Sequence, residues 1–216
     1  MAAEVLENLR KAIIEGNSER AISFTKEAIG EGLPGVEIVQ ESLVLGINTV
    51  GKLFSSGEYY LPELIVCGKA MQAAVDLVEP RLADKGDSFH VGKFLIGTVK
   101  GDIHDIGKNI VIMMLKGNGW EVTDLGVDIA PERFCSAIKD GDYDIFGMST
   151  LLTVTMPAAG ETIEAIKEAG LRERVKIMIG GAPVTQEFSD KIGADEHAQD
   201  AWDAVTKARD LINRNG

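Results

Sequence analysis

The spacing of apolar residues changes once along the chain, near residue 80, and this change limits the possible folds more than any other feature. Before it, apolar residues recur at intervals of three and four, as on one face of a helix. After Lys93, short apolar runs typical of buried strands alternate with amphipathic segments. The sequence therefore predicts a helical part followed by an α/β part.

The helical part, residues 3–79, predicts four helices. Ser18 is a candidate N-cap of the second helix, because its hydroxyl can accept a hydrogen bond from a free backbone N–H. Pro62 suits the first turn of the fourth helix, where a missing N–H costs nothing, and Pro80 is expected to end it. Helices of this length, joined by glycine-containing turns, predict a small antiparallel four-helix bundle.

The α/β part predicts a doubly wound parallel sheet, covered by helices on both faces and joined by right-handed crossovers. Ligands of such sheets bind beyond the carboxyl ends of the strands, where the strand order reverses. Strands are predicted near 93–99, 121–125, 143–148, 175–179 and 196–198, and helices near 108–117, 131–139, 156–169, 184–191 and 199–213.

The polar, glycine-containing stretch Ala83–Ser88 separates the two periodicities and predicts a domain boundary. We expect a helical bundle domain at 1–82, a linker at 83–91 and the sheet domain at 92–216. The two parts are thus expected to form separate compact domains.

Charge and apolar content exclude several classes of function. The 216-residue chain carries a net charge of −12, so no nucleic-acid partner is expected. A partner protein with a basic docking face would be compatible with this charge. No apolar run could serve as an export signal or span a bilayer, and we expect a cytoplasmic protein.

The two cysteines, Cys67 and Cys135, lack CxxC spacing, so we expect neither a disulfide framework nor a zinc site. Both are expected to be small buried or half-buried residues.

His104 lies in the loop Gly101–Lys108, directly after the first predicted strand. This loop has neither the glycines of a dinucleotide-binding turn nor the Lys-Ser/Thr pair of a P-loop. Asp102 could accept the far N–H of a metal-bound imidazole, although such a pair is also common in solvated loops. A zinc site needs three or four ligands, and His90 and His197 are the only other histidines. A single imidazole suits a metal that brings its own equatorial donors, as in a tetrapyrrole-like cofactor.

Three motifs share the spacing of a known family. Asp102-x-His104-x-x-Gly107 is followed after 41 residues by Ser149-x-Leu151 and after 28 more by Gly180-Gly181. This pattern resembles the B12-binding region of methionine synthase and of the corrinoid proteins that serve methanol, methylamine and aryl-ether methyltransferases. The resemblance implies the B12-binding fold, which is flavodoxin/Rossmann-like, and a cobalamin cofactor, either methylcobalamin or a related corrinoid.

The resemblance also implies roles for the motif residues. The cobalamin base leaves the cobalt and its tail enters a cleft beside the sheet, while His104 becomes the lower ligand of the metal. Ser149 extends the Asp102–His104 hydrogen-bond chain, and Thr153 bonds the tail or the corrin edge. Asp105, Ile106, Gly107 and Leu151 line the cofactor, and Gly180-Gly181 leaves room for the tail. Simpler alternatives are a helix cap for Ser149 or Thr153 and a strand-end turn for the two glycines.

The resemblance extends to the helical part, where Val50–Leu64 looks like the segment that covers the methyl-bearing face of cobalt. Phe54 and Leu61 would shield the methyl group, although apolar residues at helical spacing also build cores. The sequence departs from the family at Gly193–Ala198, where Glu196-His197 stands in place of the usual Gly-Tyr. His197 is either a substitute contact or an exposed residue.

The resemblance implies a methyl carrier and a non-autonomous subunit. A substrate-specific methyltransferase would load the methyl group onto cobalt, and a second methyltransferase would pass it to tetrahydrofolate or to a thiol such as coenzyme M. A reductive activase is a further candidate partner. The protein would supply the axial ligand and exclude water.

Three alternatives remain open at this point. A B12-dependent mutase module shares the sheet and the histidine, but often has Arg where this chain has Ile106. A B12 sensor would need a DNA-binding segment, which the acidic ends do not provide. A flavodoxin-like binding or signalling domain without cobalamin would leave the motif spacing as coincidence.

Overall fold

A computed structural model describes residues 2–83 and 91–213. Its contacts divide the chain into two compact units, Met1–His90 with Lys116–Gly119 and Val91–Leu115 with Trp120–Gly216. Most of the predicted linker, residues 84–90, lies outside the described residues. None of the described helices is long and apolar enough to cross a membrane.

The first unit is helical, as the spacing of its apolar residues predicts. The third predicted helix is interrupted by one π-helical segment, which the regular apolar spacing gives no reason to expect. The helices are α1 (Ala2–Ile14), α2 (Ser18–Gly30), α3 (Gly35–Ile38), the π-helical segment Val39–Val44, α4 (Leu45–Ser55) and α5 (Leu61–Ala83).

Two helix boundaries differ from the sequence prediction. The cap of α2 is Asn17, whose side chain accepts the N–H of Arg20, while Ser18 is already the first helical residue. Pro80 lies inside α5, which continues to Ala83. A proline near a helix end removes one N–H···O=C bond and need not stop the helix when the following residues keep helical dihedrals.

The carboxyl end of α1 is held by two groups from elsewhere in the helical unit. The Tyr59 hydroxyl and the Cys67 thiol each donate to the Ile14 carbonyl, at 3.0 and 3.1 Å. Burial raises the pKa of Cys67 to about 11, so its thiol stays protonated and can donate. Cys67 is buried and Cys135 half-buried, and both are free.

The second unit is a five-stranded, all-parallel sheet in the order β2-β1-β3-β4-β5. This is the doubly wound arrangement that the sequence predicts, and its strand order reverses between β1 and β3. The strands are β1 (Gly92–Thr98), β2 (Trp120–Asp124), β3 (Ile145–Ser149), β4 (Lys176–Gly180) and β5 (Glu196–Ala198). The helices are α6 (Ile106–Gly117), α7 (Pro131–Asp140), α8 (Met156–Glu168), α9 (Gln186–Ile192) and α10 (Ala201–Asn213).

The strand register places the three sequence motifs at one edge of the sheet. Thr98 pairs with Ser149, Ser149 with Gly180, and Gly180 with Ala198. The loops that follow β1, β3 and β4 therefore begin at the same level, at the carboxyl ends of adjacent strands. A core that includes the fully buried Phe134 and Phe146 supports the sheet from one face.

Candidate functional site

The loop between β1 and α6 is organised around the carboxylate of Asp102, which is fully buried. Its Oδ1 lies 2.7 Å from His104 Nδ1 and accepts the His104 backbone N–H at 3.0 Å. Its Oδ2 accepts the Leu151 N–H at 2.7 Å and the Thr155 hydroxyl at 2.9 Å. Asp102 thus joins the loop after β1 to the loop after β3, across the point where the strand order reverses.

Burial alone would raise the pKa of Asp102, but its hydrogen bonds outweigh that effect. The backbone N–H groups of His104 and Leu151, followed by the His104 ring and the Thr155 hydroxyl, hold the pKa well below the usual carboxyl range. Asp102 is therefore ionised at neutral pH.

The ionised carboxylate determines which nitrogen of His104 is available to a ligand. A carboxylate can only accept, so Nδ1 carries the proton that faces Asp102, and Nε2 of the neutral ring keeps its lone pair. The His104 side chain is 46% exposed, whereas that of Asp102 is fully buried. The arrangement is that of a metal-binding imidazole oriented by an outer carboxylate.

Thr155, and not Ser149, supplies the hydroxyl that extends this chain. The Thr155 oxygen lies 2.9 Å from Asp102 Oδ2 and 2.7 Å from the buried Thr150 hydroxyl. Ser149 is half-buried at the end of β3, and its carbonyl accepts the Val99 N–H at 3.0 Å. The prediction that Ser149 extends the chain is therefore wrong. Thr155 precedes Met156-Pro157 at the start of α8, a sequence signal for a helix start.

Residues 105–107, which follow His104, are exposed to solvent. The Asp105 carbonyl accepts the Asn109 N–H as α6 begins. Ile106 is 65% exposed, and a Cβ built at Gly107 would meet no atom within 4 Å. Nothing in the described part of the chain thus crowds Gly107, so a ligand can approach its backbone closely.

The two glycines after β4 have different local requirements. At Gly181, φ is +133° and an added Cβ would lie 1.8 Å from the Thr150 carbonyl oxygen, so only glycine fits there. At Gly180, the Cβ would meet the Ala198 carbonyl at 3.2 Å. The sheet itself therefore requires Gly181, whatever a cofactor tail needs.

The two loops that Asp102 joins expose an apolar surface near His104, which suits a large flat macrocycle. Leu151 lies in this surface and Thr153, also exposed, lies beside it. Asp102 binds the backbone N–H groups of both Leu151 and Leu152, which fixes that part of the surface close to the histidine. The large apolar side chains of this surface are Ile103, Ile106, Leu151, Leu152 and Val154, each between 40% and 80% exposed. An apolar surface with one available imidazole fits a corrin that brings its own equatorial nitrogens.

The remaining candidates lie elsewhere. Phe54, near the end of α4, and Leu61, the first residue of α5, are half-buried residues of the helical unit. Their contact with a cofactor stays a prediction.

His197 lies in β5 and is only 6% exposed, so it is not the exposed residue considered above. Burial, and after it the charge of Lys207, lowers the pKa of His197. The Lys207 ammonium also donates to the His197 carbonyl.

Comparison with known proteins agrees with this geometry. Two families, each described as a B12 binding domain, match residues 5–79 and 92–206, and together they cover most of the chain. The chain belongs to the B12-binding corrinoid protein family. Dimethylamine corrinoid protein 1 of Methanosarcina acetivorans is 42% identical over 97% of this chain and 98% of its own length. A corrinoid protein of Desulfitobacterium hafniense is 40% identical over 99% of this chain and all of its own length.

Solved structures of corrinoid proteins share the fold. A cobalamin-binding protein from Desulfitobacterium hafniense superposes with a TM-score of 0.81 at 31% identity, covering 95% of this chain and 98% of the other. The methanol:cobalamin methyltransferase complex MtaBC of Methanosarcina barkeri contains a chain with a TM-score of 0.83 at 27% identity, covering 97% of this chain and 80% of that one. Membership of this family removes the alternative of a flavodoxin-like domain without cobalamin.

Proposed function

We propose that this corrinoid protein is a methyl carrier that binds cobalamin through His104, with the nucleotide base of the cofactor displaced from the metal. The observation that carries the proposal is the Asp102–His104 pair. Asp102 holds the ring proton on Nδ1, so His104 presents an imidazole with a free Nε2 at the carboxyl edge of the sheet. The bound corrinoid supplies a cobalt that can accept and release a methyl group. The carrier needs partner enzymes for both transfers.

The residues around His104 have separate tasks in this proposal. Asp102 holds the Nδ1 proton and the ring plane, and Thr155 holds Asp102. Ile106, Leu151 and the neighbouring exposed apolar residues pack against the macrocycle and exclude water. Asp105, Gly107, Ser149, Thr153, Gly180 and Gly181 complete the proposed cofactor contacts.

Phe54 and Leu61 are proposed to cover the methyl-bearing face of cobalt. The match of residues 5–79 to a B12 binding domain supports a cofactor role for the helical unit. Full-length similarity to dimethylamine corrinoid proteins also favours a carrier over a mutase module, because it includes this unit.

The proposed partners are a substrate-specific methyltransferase and a second methyltransferase that uses tetrahydrofolate or a thiol such as coenzyme M. A reductive activase is a third. The names of the relatives support a methylated amine or methanol as the source of the methyl group, since they include dimethylamine and trimethylamine corrinoid proteins and a methanol:cobalamin methyltransferase complex.

A methyl-transfer assay tests the proposal. The protein is loaded with isotopically labelled methylcobalamin and mixed with purified coenzyme M-dependent and tetrahydrofolate-dependent methyltransferases. We expect one of these two enzymes to form its labelled product, methyl-coenzyme M or methyltetrahydrofolate. The dimethylamine corrinoid protein of Methanosarcina acetivorans, loaded in the same way, is the positive control. Transfer from the control but not from this protein, with cobalamin bound to both, would contradict the carrier role.

A further inference from the structure

Lys108 is a buried cation close in sequence to the proposed cobalt ligand. It lies in the first turn of α6, and its side chain is only 1% exposed. Among residues 2–83 and 91–213, no other lysine or arginine is buried. A buried ammonium is costly unless an opposite charge compensates it, so its surroundings must supply a partner.

That partner is Asp124, the last residue of β2. The Lys108 ammonium donates to Asp124 Oδ2 at 2.6 Å and to Asn109 Oδ1 at 3.2 Å. The other oxygen of Asp124 accepts the Gly126 N–H at 2.9 Å. Lys108 therefore attaches the start of α6 to the turn that follows β2.

The hydrogen bonds continue from that turn to His104. The Gly126 carbonyl accepts the Thr98 N–H at 3.0 Å, and the buried Thr98 hydroxyl donates to the His104 carbonyl at 3.1 Å. The segment from His104 to Lys108 is thus held at both ends by one path. This path is separate from the side-chain bonds of Asp102.

We propose that Lys108 is a positioning residue that orients the His104 segment for ligation of cobalt. This inference rests on the proposed function, in which His104 is the axial ligand. A buried ion pair adds little stability compared with apolar side chains of similar volume, so stability alone gives no reason for a lysine here. Outer groups that orient a metal ligand commonly change metal affinity by about 10- to 100-fold.

The test is Lys108→Met, which keeps an unbranched side chain of similar length and removes the charge. Asp124 is 36% exposed, so water can solvate the carboxylate that loses its partner. We measure the Kd for methylcobalamin, the His-ligated fraction by visible spectroscopy and the Tm of the cofactor-free protein. We expect binding about tenfold weaker and a spectrum with a base-off component. The control is Lys167→Met, which removes an exposed ion pair with Glu164 and should leave Kd and spectrum unchanged.

Thr98→Val interrupts the same path at the other end without altering any charge. We expect a similar change in Kd and spectrum, and a double variant with Lys108→Met that is less than additive. If Lys108→Met does not fold, Thr98→Val alone tests whether this hydrogen-bond path orients His104. Wild-type affinity and spectrum in both variants, even with a lower Tm, would overturn the proposal and make Lys108 a structural residue. If His104→Ala leaves the spectrum of bound cobalamin unchanged, the axial ligand itself is wrong, which is a different failure.

Discussion

Asp102 is the residue on which the site depends most, because five donors converge on its two oxygens. Asp102→Asn places an amide NH₂ against some of these donors in either orientation of the side chain. We expect the free energy of unfolding at neutral pH to fall by about 1–3 kcal/mol. Urea denaturation measures this free energy, and Asp142→Asn, at an exposed position between α7 and β3, is the control, with an expected change of at most about 0.5 kcal/mol.

The difference in the free energy of unfolding between wild type and Asp102→Asn should also depend on pH. The pKa of Asp102 is lowered in the folded protein, so its stabilising contribution is complete above the ordinary carboxyl value, near 4, and is lost as pH falls below that value. The difference in stability between wild type and Asp102→Asn should therefore shrink below about pH 4. A difference that stays constant down to the acid unfolding transition would contradict the ionised, hydrogen-bonded carboxylate.

The Asp102–His104 pair could be predicted from the sequence, whereas some of the residues that hold it in place could not. The Asp102–His104 contact follows from two residues in one loop, which a sequence pattern can show. Thr155 and Lys108 act through contacts between different elements of the fold, to Asp102 and to Asp124. Such contacts depend on strand register, which the sequence does not show.

At the scale of elements, the turn between β2 and α7 is tied to the His104 loop by Asp128. Asp128 has φ of +55°, its carboxylate accepts the Gly101 N–H at 2.7 Å, and its own N–H donates to the Asp102 carbonyl at 2.9 Å. Few residues other than glycine, asparagine and aspartate tolerate this conformation. The turn therefore depends on both the backbone and the side chain of one residue.

Three substitutions at Asp128 separate these contributions. Asn keeps an acceptor and tolerates positive φ, so it should be close to wild type. Gly tolerates the positive φ but removes the side chain that accepts the Gly101 N–H. Ala removes that acceptor and is also strained at positive φ, which costs about 1–2 kcal/mol for the strain alone. Thermal unfolding should thus give the order Asn, Gly, Ala in falling Tm. An Ala variant as stable as the Asn variant would show that the turn does not need this conformation.

The elements themselves were largely predictable from the sequence. Each strand was predicted within about two residues, because a buried parallel strand is a short apolar run between polar turns. The π-helical segment Val39–Val44 was not predicted, since its apolar residues keep spacings that a regular helix also shows. The continuation of α5 through Pro80 shows that a proline close to a helix end is a weak stop signal.

In the whole molecule, the helical unit is proposed to protect the methyl group on cobalt. Leu61→Ala removes one of the two side chains proposed to cover the cobalt. We expect faster photolysis of bound methylcobalamin, measured as the rate of spectral change under constant light. Ile65→Ala, an equally small change at a 38% exposed position of the same helix, is the matched control. Equal rates in both variants and in wild type would remove Leu61 from this role.

Ligation of the cobalt of bound cobalamin by His104 is tested most directly by visible spectroscopy. Wild type and His104→Ala are each reconstituted with methylcobalamin, and their visible spectra are compared after free cofactor is removed. We expect a nitrogen-ligated spectrum for wild type. For His104→Ala we expect a base-off spectrum with binding at least about tenfold weaker, because the side chain that supplies Nε2 is gone. Identical spectra and affinities for the two proteins would contradict ligation by His104.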